Sequence, residues 1–395
     1  MIKDTEVCIV GAGPAGASLS HFLSARKISH TLIDKASFPR DKVCGDGIAV
    51  DVMNTLKRIS PELLHSFINE SSLQPSWGLG LRTSNGHEIR YDFRENGLPY
   101  APFFTGKRLD LDNFLVRNLN PAYCDFRQDT LVSNVVRTPD GIIVQLKNSQ
   151  GNESDVRANI VVGAEGEKPI VTKYLGLDHY REKQHLMGAI RIYYKNVKGF
   201  HPNGHLEFFM DKKLSPGYFW VFPLPNNEAN IGLGMTSSRI SQKKLNLKKA
   251  FHEIVNRNPV LNEMFAEAEA LEKPRGWGLP VMTPQRTIAG ERYALLGDAA
   301  GMIEPHTGKG IGPGMVSGRL CAQYIEEALL KKKYDLMPYQ EHIYRYYRIE
   351  MRIGHALLKS FKYPALLNSA ISLSNLGIIK RWSHKKATEA WKSWM

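Results

Sequence analysis

The chain has 395 residues, 43% of them hydrophobic and 23% charged, a composition that fits a folded globular protein of more than one structural unit and excludes a low-complexity or disordered chain. A formal net charge of +13 favours anionic partners, a membrane surface or a phosphorylated substrate among them, yet no nucleic-acid-binding module is recognisable. No apolar run reaches the ~20 residues of a membrane span, and Cys8, Cys44, Cys124 and Cys321 are too scattered for a zinc site or a disulfide framework.

The N-terminal segment enters a predicted strand at once, which leaves no room for a signal peptide and points to a cytoplasmic protein. "EVCIVGAGPAGASLSHFLSARKISHTLIDK" reads as strand, glycine turn, helix and second strand. Gly11 permits the turn, Gly13 lets the backbone approach a pyrophosphate, and Gly16, beside Ala15, lets the helix pack closely. The second strand ends in Asp34, placed to accept hydrogen bonds from ribose hydroxyls, with Lys35 next to it. Together these define a dinucleotide site.

"FPRDKVCGDGI" follows, with Arg40 and Lys42 ahead of Cys44, Gly45 and Asp46. The residues alone leave four readings of Cys44: core thiol, metal ligand, redox partner, or a group facing a cofactor. "GKRLDLDNFL" then sets Arg108, Asp112 and Leu115 in an R-x-x-L-D-x-x-L spacing. Farther on, "RYALLGDAAGMIEPHTGKGIGPGMV" has a strand ending in Gly297-Asp298, a glycine-rich loop through Gly308, and a helix from about Gly310 and Ile311. An acid at that strand end suits a ribityl hydroxyl. A helix N-terminus there suits the pyrimidine ring of a flavin, with positive charge added by Lys309.

Between these segments lie aromatic-rich stretches, "LMGAIRIYYKNV", "GHLEFFM", "GYFWVFPL" and "EANIGLGM", which predict a second, antiparallel sheet. Tyr218, Trp220 and Phe222 alternate along one strand and share a face, while Phe219 and Val221 point the other way. Residues 241 to 272 read as helix, and the chain reads as helical from about 333 to its end. In the tail, Leu376, Ile379, Trp391 and Trp394 gather on one helical face away from Arg381, Lys385 and Lys392. That pattern fits either a helix docked on its own domain or one lying in a membrane interface.

From residue 1 to about 325 these segments resemble FAD proteins of the p-hydroxybenzoate-hydroxylase fold. Lys42, Cys44 and Gly45 match a K-x-C-G segment of the geranylgeranyl reductase family. Tyr218, Trp220, Phe222 and Pro223 match its Y-x-W-x-F-P segment, and Pro305, Thr307, Gly308, Gly310 and Ile311 its P-x-T-G-x-G-I loop. The resemblance implies an α/β, Rossmann-like FAD-binding domain in three pieces, 1–72, 100–175 and 275–330. It implies an inserted antiparallel-sheet substrate domain, 73–99 and 176–274, and a helical C-terminal region, 331–395. It further implies FAD as cofactor, NADPH or ferredoxin as electron donor, and reduction of carbon–carbon double bonds in a prenyl or other isoprenoid chain; peripheral membrane contact through the basic C-terminal region stays one of the two readings of the tail pattern. On the cofactor it places Gly11, Gly13, Ala15, Gly16, Asp34, Lys35, Arg40, Cys44, Gly45, Arg108, Gly297, Asp298, Gly308, Gly310 and Ile311. Cys44 is then expected beside the flavin ring, where it orients or protonates the alkene. Tyr218 and Trp220 are expected to stabilise developing positive charge, with Phe222 completing the substrate-binding wall. Asp46 is read as a solvated loop acid or glycine-loop cap, and His306 as a reserve proton relay. Glu165, Pro169 and Thr172 stand where this fold commonly has an acid, a serine and an arginine, which leaves the NADPH contact unassigned. Two alternatives stay open on the same fold: a flavin-dependent monooxygenase or halogenase, and a flavin-bearing lipid-binding protein without turnover.

Overall fold

Short apolar runs bounded by turn residues build the first sheet. In the computed structural model, which describes residues 2–83, 86–168, 170–176, 183–283, 286–360 and 388–389, the strand Ile2–Val10 lies at its centre. It pairs in parallel with His30–Ile33 on one side and Glu153–Gly163 on the other. Cys124–Arg127 and Tyr293–Leu295 extend the parallel order outward, and the hairpin Thr130–Thr138/Gly141–Asn148 adds antiparallel strands to Glu153–Gly163. Strands covered on both faces need side chains that are apolar on both faces, and Val7, Cys8, Ile9 and Val10 are all buried.

The glycine turn works as the sequence requires. Gly11 has φ +103°, and a Cβ on Gly16 would collide with the Gly11 carbonyl, so only glycine closes this strand-to-helix turn. The helix Pro14–Ala25 then packs against Ile311–Lys331, where a Cβ on Gly318 would come 2.6 Å from the Ala15 carbonyl oxygen. The two helices that carry the cofactor-facing turns thus meet almost backbone to backbone.

The second sheet runs in the order Glu269–Ala270, Leu186–Lys195, Glu228–Thr236, Gly217–Leu224, Leu206–Met210, Gly78–Thr83, Glu88–Asp92. It is antiparallel except where Leu206–Met210 meets Gly78–Thr83 in parallel. Its two faces serve different cores. Phe219 and Val221 pack with Phe251, Ile254 and Leu261, whereas Trp220 and Phe222 pack with Phe93, Phe103 and Leu206.

Two expectations need correction. The strand Arg275–Pro280, assigned above to the FAD-binding pieces, pairs with Leu186–Lys195 in the second sheet, because its backbone completes that strand's free edge. The stretch 241–272 is not one helix. It holds the end of the helix Ser237–Lys243, the helices Leu247–Arg257 and Pro259–Met264, and the strand Glu269–Ala270; the two middle helices part because Pro259 cannot donate to a preceding turn and Asn258 caps the new helix through Val260 and Leu261 N–H. The described part of the C-terminal region is helical, in Met337–Tyr346 and Arg348–Ser360, and it packs inward: Tyr339 and Ile343 are buried in the core beside the first sheet, and Tyr339 donates to the Leu295 carbonyl at 3.1 Å. The amphipathic tail stripe from Leu376 to Trp394 and the Pro169 position lie outside the described residues.

Phe251 is buried to 1% exposure and contacts Tyr194, Phe219 and Phe265 rings at 5.1 to 6.3 Å. Phe251→Ala is expected to lower stability by about 3–5 kcal/mol in chemical denaturation, the cost of an uncollapsed aromatic cavity.

Candidate functional site: a dinucleotide cradle and an aromatic wall

Asp34, just past its strand, accepts the Ala12 N–H at 2.8 Å and the Ala36 N–H at 2.9 Å, which fixes its carboxylate at the head of the glycine turn. Asp112 is fully buried and takes three charge-assisted hydrogen bonds of 2.7 Å, two from Arg108 and one from Arg40. Both guanidinium groups hang over bare Gly13, where a Cβ would lie 3.7 Å from Arg40 and 3.9 Å from Arg108. A cavity of about 670 Å³ adjoins this turn, lined by Gly11, Asp34, Lys35, Thr130, Val132 and Glu165 among others. An acceptor at the strand end, two cations above an open glycine, and a cavity large enough for a nucleoside fit the adenosine diphosphate half of FAD. Thr130 and Val132 escaped the sequence reading, which offers no signal for them beyond a strand edge. Glu165 turns inward and caps the helix Ile170–Tyr174, accepting the Val171 N–H at 2.7 Å, while Thr172 is buried.

On the far side, Gly310 precedes the helix Ile311–Lys331, Gly308 has φ +72°, and Ala15 packs against Gly297 and Gly314. Asp298 holds the Lys42 ammonium at 3.0 Å, so the loop of Cys44 is tied to the glycine-rich loop. Lys309 does not add free positive charge there. Its ammonium sits 3.0 Å from Asp51 and 3.7 Å from Glu304, which neutralise it. His306 Nδ1 is buried without a hydrogen-bond partner among the described residues, and burial lowers the pKa of its ring.

The Cys44 loop meets the aromatic strand directly. A Cβ on Gly45 would lie 3.7 Å from the Trp220 indole, and one on Gly47 3.3 Å from the Phe222 ring. Tyr218, Trp220 and Phe222 stand in a row with ring centroids 6.1 and 6.4 Å apart, and Phe208 packs edge-on to Tyr218 and Phe222. The Tyr218 hydroxyl donates to the Thr307 carbonyl, so the wall is joined to the glycine-rich loop as well. Burial pushes the Cys44 thiol's pKa up, against the opposing pull of the Arg108 guanidinium.

Asp46 is not a solvated loop acid. It is fully buried, holds φ +60°, and its Oδ2 accepts the Tyr193 hydroxyl at 2.6 Å and the Asn230 amide at 2.8 Å. The reason is the sheet beneath it: Tyr193 and Asn230 sit opposite each other on paired strands and aim their polar ends at the loop. Asn230 also donates to the Cys44 carbonyl at 2.8 Å and accepts the Trp220 indole N–H at 2.8 Å. Burial raises the Asp46 pKa from 3.8 to about 6. The sequence reading missed Tyr193 and Asn230. Asn230, a lone amide in an apolar strand, was the available signal.

Asp92, His201 and His205 also bring donor atoms together. The two imidazoles, however, are stacked with centroids 3.7 Å apart and planes 17° apart. Their in-plane lone pairs run nearly parallel, so an ion at a bonding distance of about 2.0–2.1 Å from both would lie far out of both ring planes. The group is a hydrogen-bonded clasp in which His205 Nε2 and the Asn203 amide meet Asp92 at 2.9 and 2.8 Å.

A cradle of this kind, with two converging loops against an aromatic wall, defines the class: an FAD-dependent oxidoreductase. The chain belongs to the family described as FAD binding domain, whose pattern matches residues 4–328. It is similar to a menaquinone reductase of Mycolicibacterium smegmatis, 28% identical over 88% of this chain and 83% of that protein. It is also similar to a digeranylgeranylglycerophospholipid reductase of Methanoculleus marisnigri, 25% identical over 96% of this chain and 95% of that one. Among solved structures, a geranylgeranyl bacteriochlorophyll reductase-like protein of Thermoplasma acidophilum superposes with TM-score 0.81 at 19% identity, covering 94% and 91% of the two chains. A point mutant of the halogenase PltM with FAD bound superposes with TM-score 0.74 at 17% identity, covering 97% and 86%. These superpositions show the p-hydroxybenzoate-hydroxylase type of fold.

Arg108→Met would leave Asp112 buried with one partner lost. A stability loss of about 3–5 kcal/mol and a fall in bound flavin absorbance are expected. A carboxyl whose pKa rises on folding binds its proton more tightly in the folded chain. Stability should therefore fall as pH rises from 3.8 to about 6, by about 3 kcal/mol. Asp46→Asn, followed by denaturation at each pH, should remove that fall.

Proposed function

We propose that this protein reduces carbon–carbon double bonds of a prenyl or related isoprenoid chain. The observation that carries the reading is the row Tyr218, Trp220 and Phe222 lying against Gly45 and Gly47, beside Cys44. The names of its relatives, two of them lipid or quinone reductases at 25 and 28% identity, support it.

Arg40, Arg108, Gly13 and Asp34 would hold the adenosine diphosphate half of FAD, and the loops of Cys44 and Gly308 its flavin end. When bound and reduced, FAD supplies the hydride for one alkene carbon. The chain must supply the rest. An isolated alkene has no carbonyl to accept electrons, so positive charge develops on its more substituted carbon as the proton arrives. The faces of Tyr218 and Trp220 would stabilise that charge. Cys44, kept as a thiol by burial, would hold the proton at its sulfur for the second carbon. The thiolate left behind would face the Arg108 guanidinium until solvent returns a proton. One hydride and one proton per double bond give a product two hydrogens heavier. NADPH or ferredoxin would reduce the flavin, and the +13 charge would draw the protein to anionic membrane surfaces where such chains lie.

The test uses flavin-loaded protein reduced without oxygen and mixed with geranylgeranyl lipid or a prenylquinone. Flavin reoxidation together with a gain of two hydrogens per double bond is the expected result. Reduced flavin that persists until air enters, followed by product carrying oxygen or halogen, would replace this reading with a monooxygenase or halogenase. Cys44→Ala should retain flavin and slow alkene reduction by about 10²–10⁴-fold.

A further inference from the structure

The loop from Asp41 to Gly47 carries a carboxylate where an amide would satisfy the same geometry at lower cost. Asp46 is fully buried and no cation pairs with it among the described residues. The two nearest guanidinium groups are engaged elsewhere: Arg108 on Asp112, and Arg191 on Glu272 at 2.5 Å and Asp41 at 3.1 Å. Asp46 Oδ1 is buried without a hydrogen-bond partner. Burying a carboxylate so costs stability that an asparagine would not. The left-handed backbone at φ +60° adds strain that a glycine would avoid. A side chain kept only to brace the loop has no use for the charge. Cys44 lies two residues away, and its backbone carbonyl shares the Asn230 amide with the Asp46 carboxylate.

We propose that Asp46 is a positioning residue for Cys44: its buried, cation-free carboxylate holds the neighbouring sulfur in the thiol form and, through Asn230, fastens the Cys44 loop to Trp220. The charges around the sulfur set up this contest. Burial holds it up as a thiol; Arg108, from the helix Arg108–Arg117, Lys42, from the loop itself, and the Asp46 backbone N–H draw it toward thiolate, while the Asp46 carboxylate opposes them. Tyr193 and Arg191 face Asp46 from the strand Leu186–Lys195, with the Arg191 guanidinium 3.8 Å above the Tyr193 ring. Asp41 binds Arg191 from the same loop. Tyr218, from the strand Gly217–Leu224, faces Cys44 as a neutral phenol whose own pKa is raised by burial. Asn230, from the strand Glu228–Thr236, is neutral. Removing the Asp46 charge takes away the carboxylate's share of that opposition and leaves burial alone to hold the thiol up against the two cations.

The functional meaning rests on the reading of Cys44 as the proton-holding group, but the sulfur's titration does not. The experiment follows alkylation of Cys44 in flavin-loaded protein by iodoacetamide from pH 6 to 11, read on the Cys44 peptide by mass spectrometry. In Asp46→Asn the midpoint of the rate profile should fall by about one unit, making alkylation near neutral pH about tenfold faster. Asp46→Ser also removes the charge and should shift the midpoint in the same direction. It also serves if Asp46→Asn does not fold. Mere loosening of the loop would raise the plateau rate and leave the midpoint in place. An unmoved midpoint in both variants would overturn the proposal. A shifted midpoint in a protein that reduces no alkene would uphold the coupling and overturn the reductase reading instead.

Discussion

The carboxylate of Asp112 is the point from which the cofactor side of the molecule is organised. It lies in the first turns of a helix, fully buried, and receives Arg108 through two hydrogen bonds and Arg40 through a third. Buried ion pairs of this kind contribute little net stability, because desolvation offsets most of the attraction. Their effect is geometric. Arg40 belongs to the connection that leaves the second strand and leads into the Cys44 loop, so anchoring it fixes where that loop begins. Arg108 reaches from below toward both Gly13 and Cys44. One carboxylate therefore positions two guanidinium groups above Gly13 and the electrostatic surroundings of the sulfur together.

Much of the cofactor side was legible in the sequence because it depends on local backbone demands. Gly11, Gly16 and Asp34 announce a turn that no other residues make, and the Arg108–Asp112 spacing places both on one helix face. The alternation from Tyr218 to Phe222 was legible for the same reason, since a strand sends successive side chains to opposite faces. What stayed hidden depends on tertiary contact. Asp46 looks like an ordinary loop acid until Tyr193 and Asn230 arrive from strands some 150 and 180 residues later. Lys309 reads as a free charge until Asp51 meets it. The strand at Arg275–Pro280 could not be assigned to either domain from its own residues, because the decision belongs to the open edge of Leu186–Lys195.

The strand Gly217–Leu224 shows how closely structure and chemistry are interleaved. Its odd-numbered aromatic and aliphatic residues, Phe219 and Val221, are sealed into a core with Phe251 that holds the sheet to its helices. Its even-numbered residues, Tyr218, Trp220 and Phe222, face the two cofactor-side loops. A slip of one residue in register would exchange the two sets, and pairing on both sides, with Leu206–Met210 and Glu228–Thr236, guards against it.

The single parallel pairing in the second sheet, between Gly78–Thr83 and Leu206–Met210, shapes how the chain must be made. An early strand waits for a partner more than a hundred residues downstream, and the first sheet likewise needs Tyr293–Leu295 beside Glu153–Gly163. Neither sheet is complete until strands near residues 275–295 have been made. Such long-range pairing slows folding and leaves strand edges uncovered in the meantime. The discontinuity that brings Cys44, Trp220 and Gly308 to one place therefore leaves the site to form only after these distant strands have paired, whatever substrate it accepts.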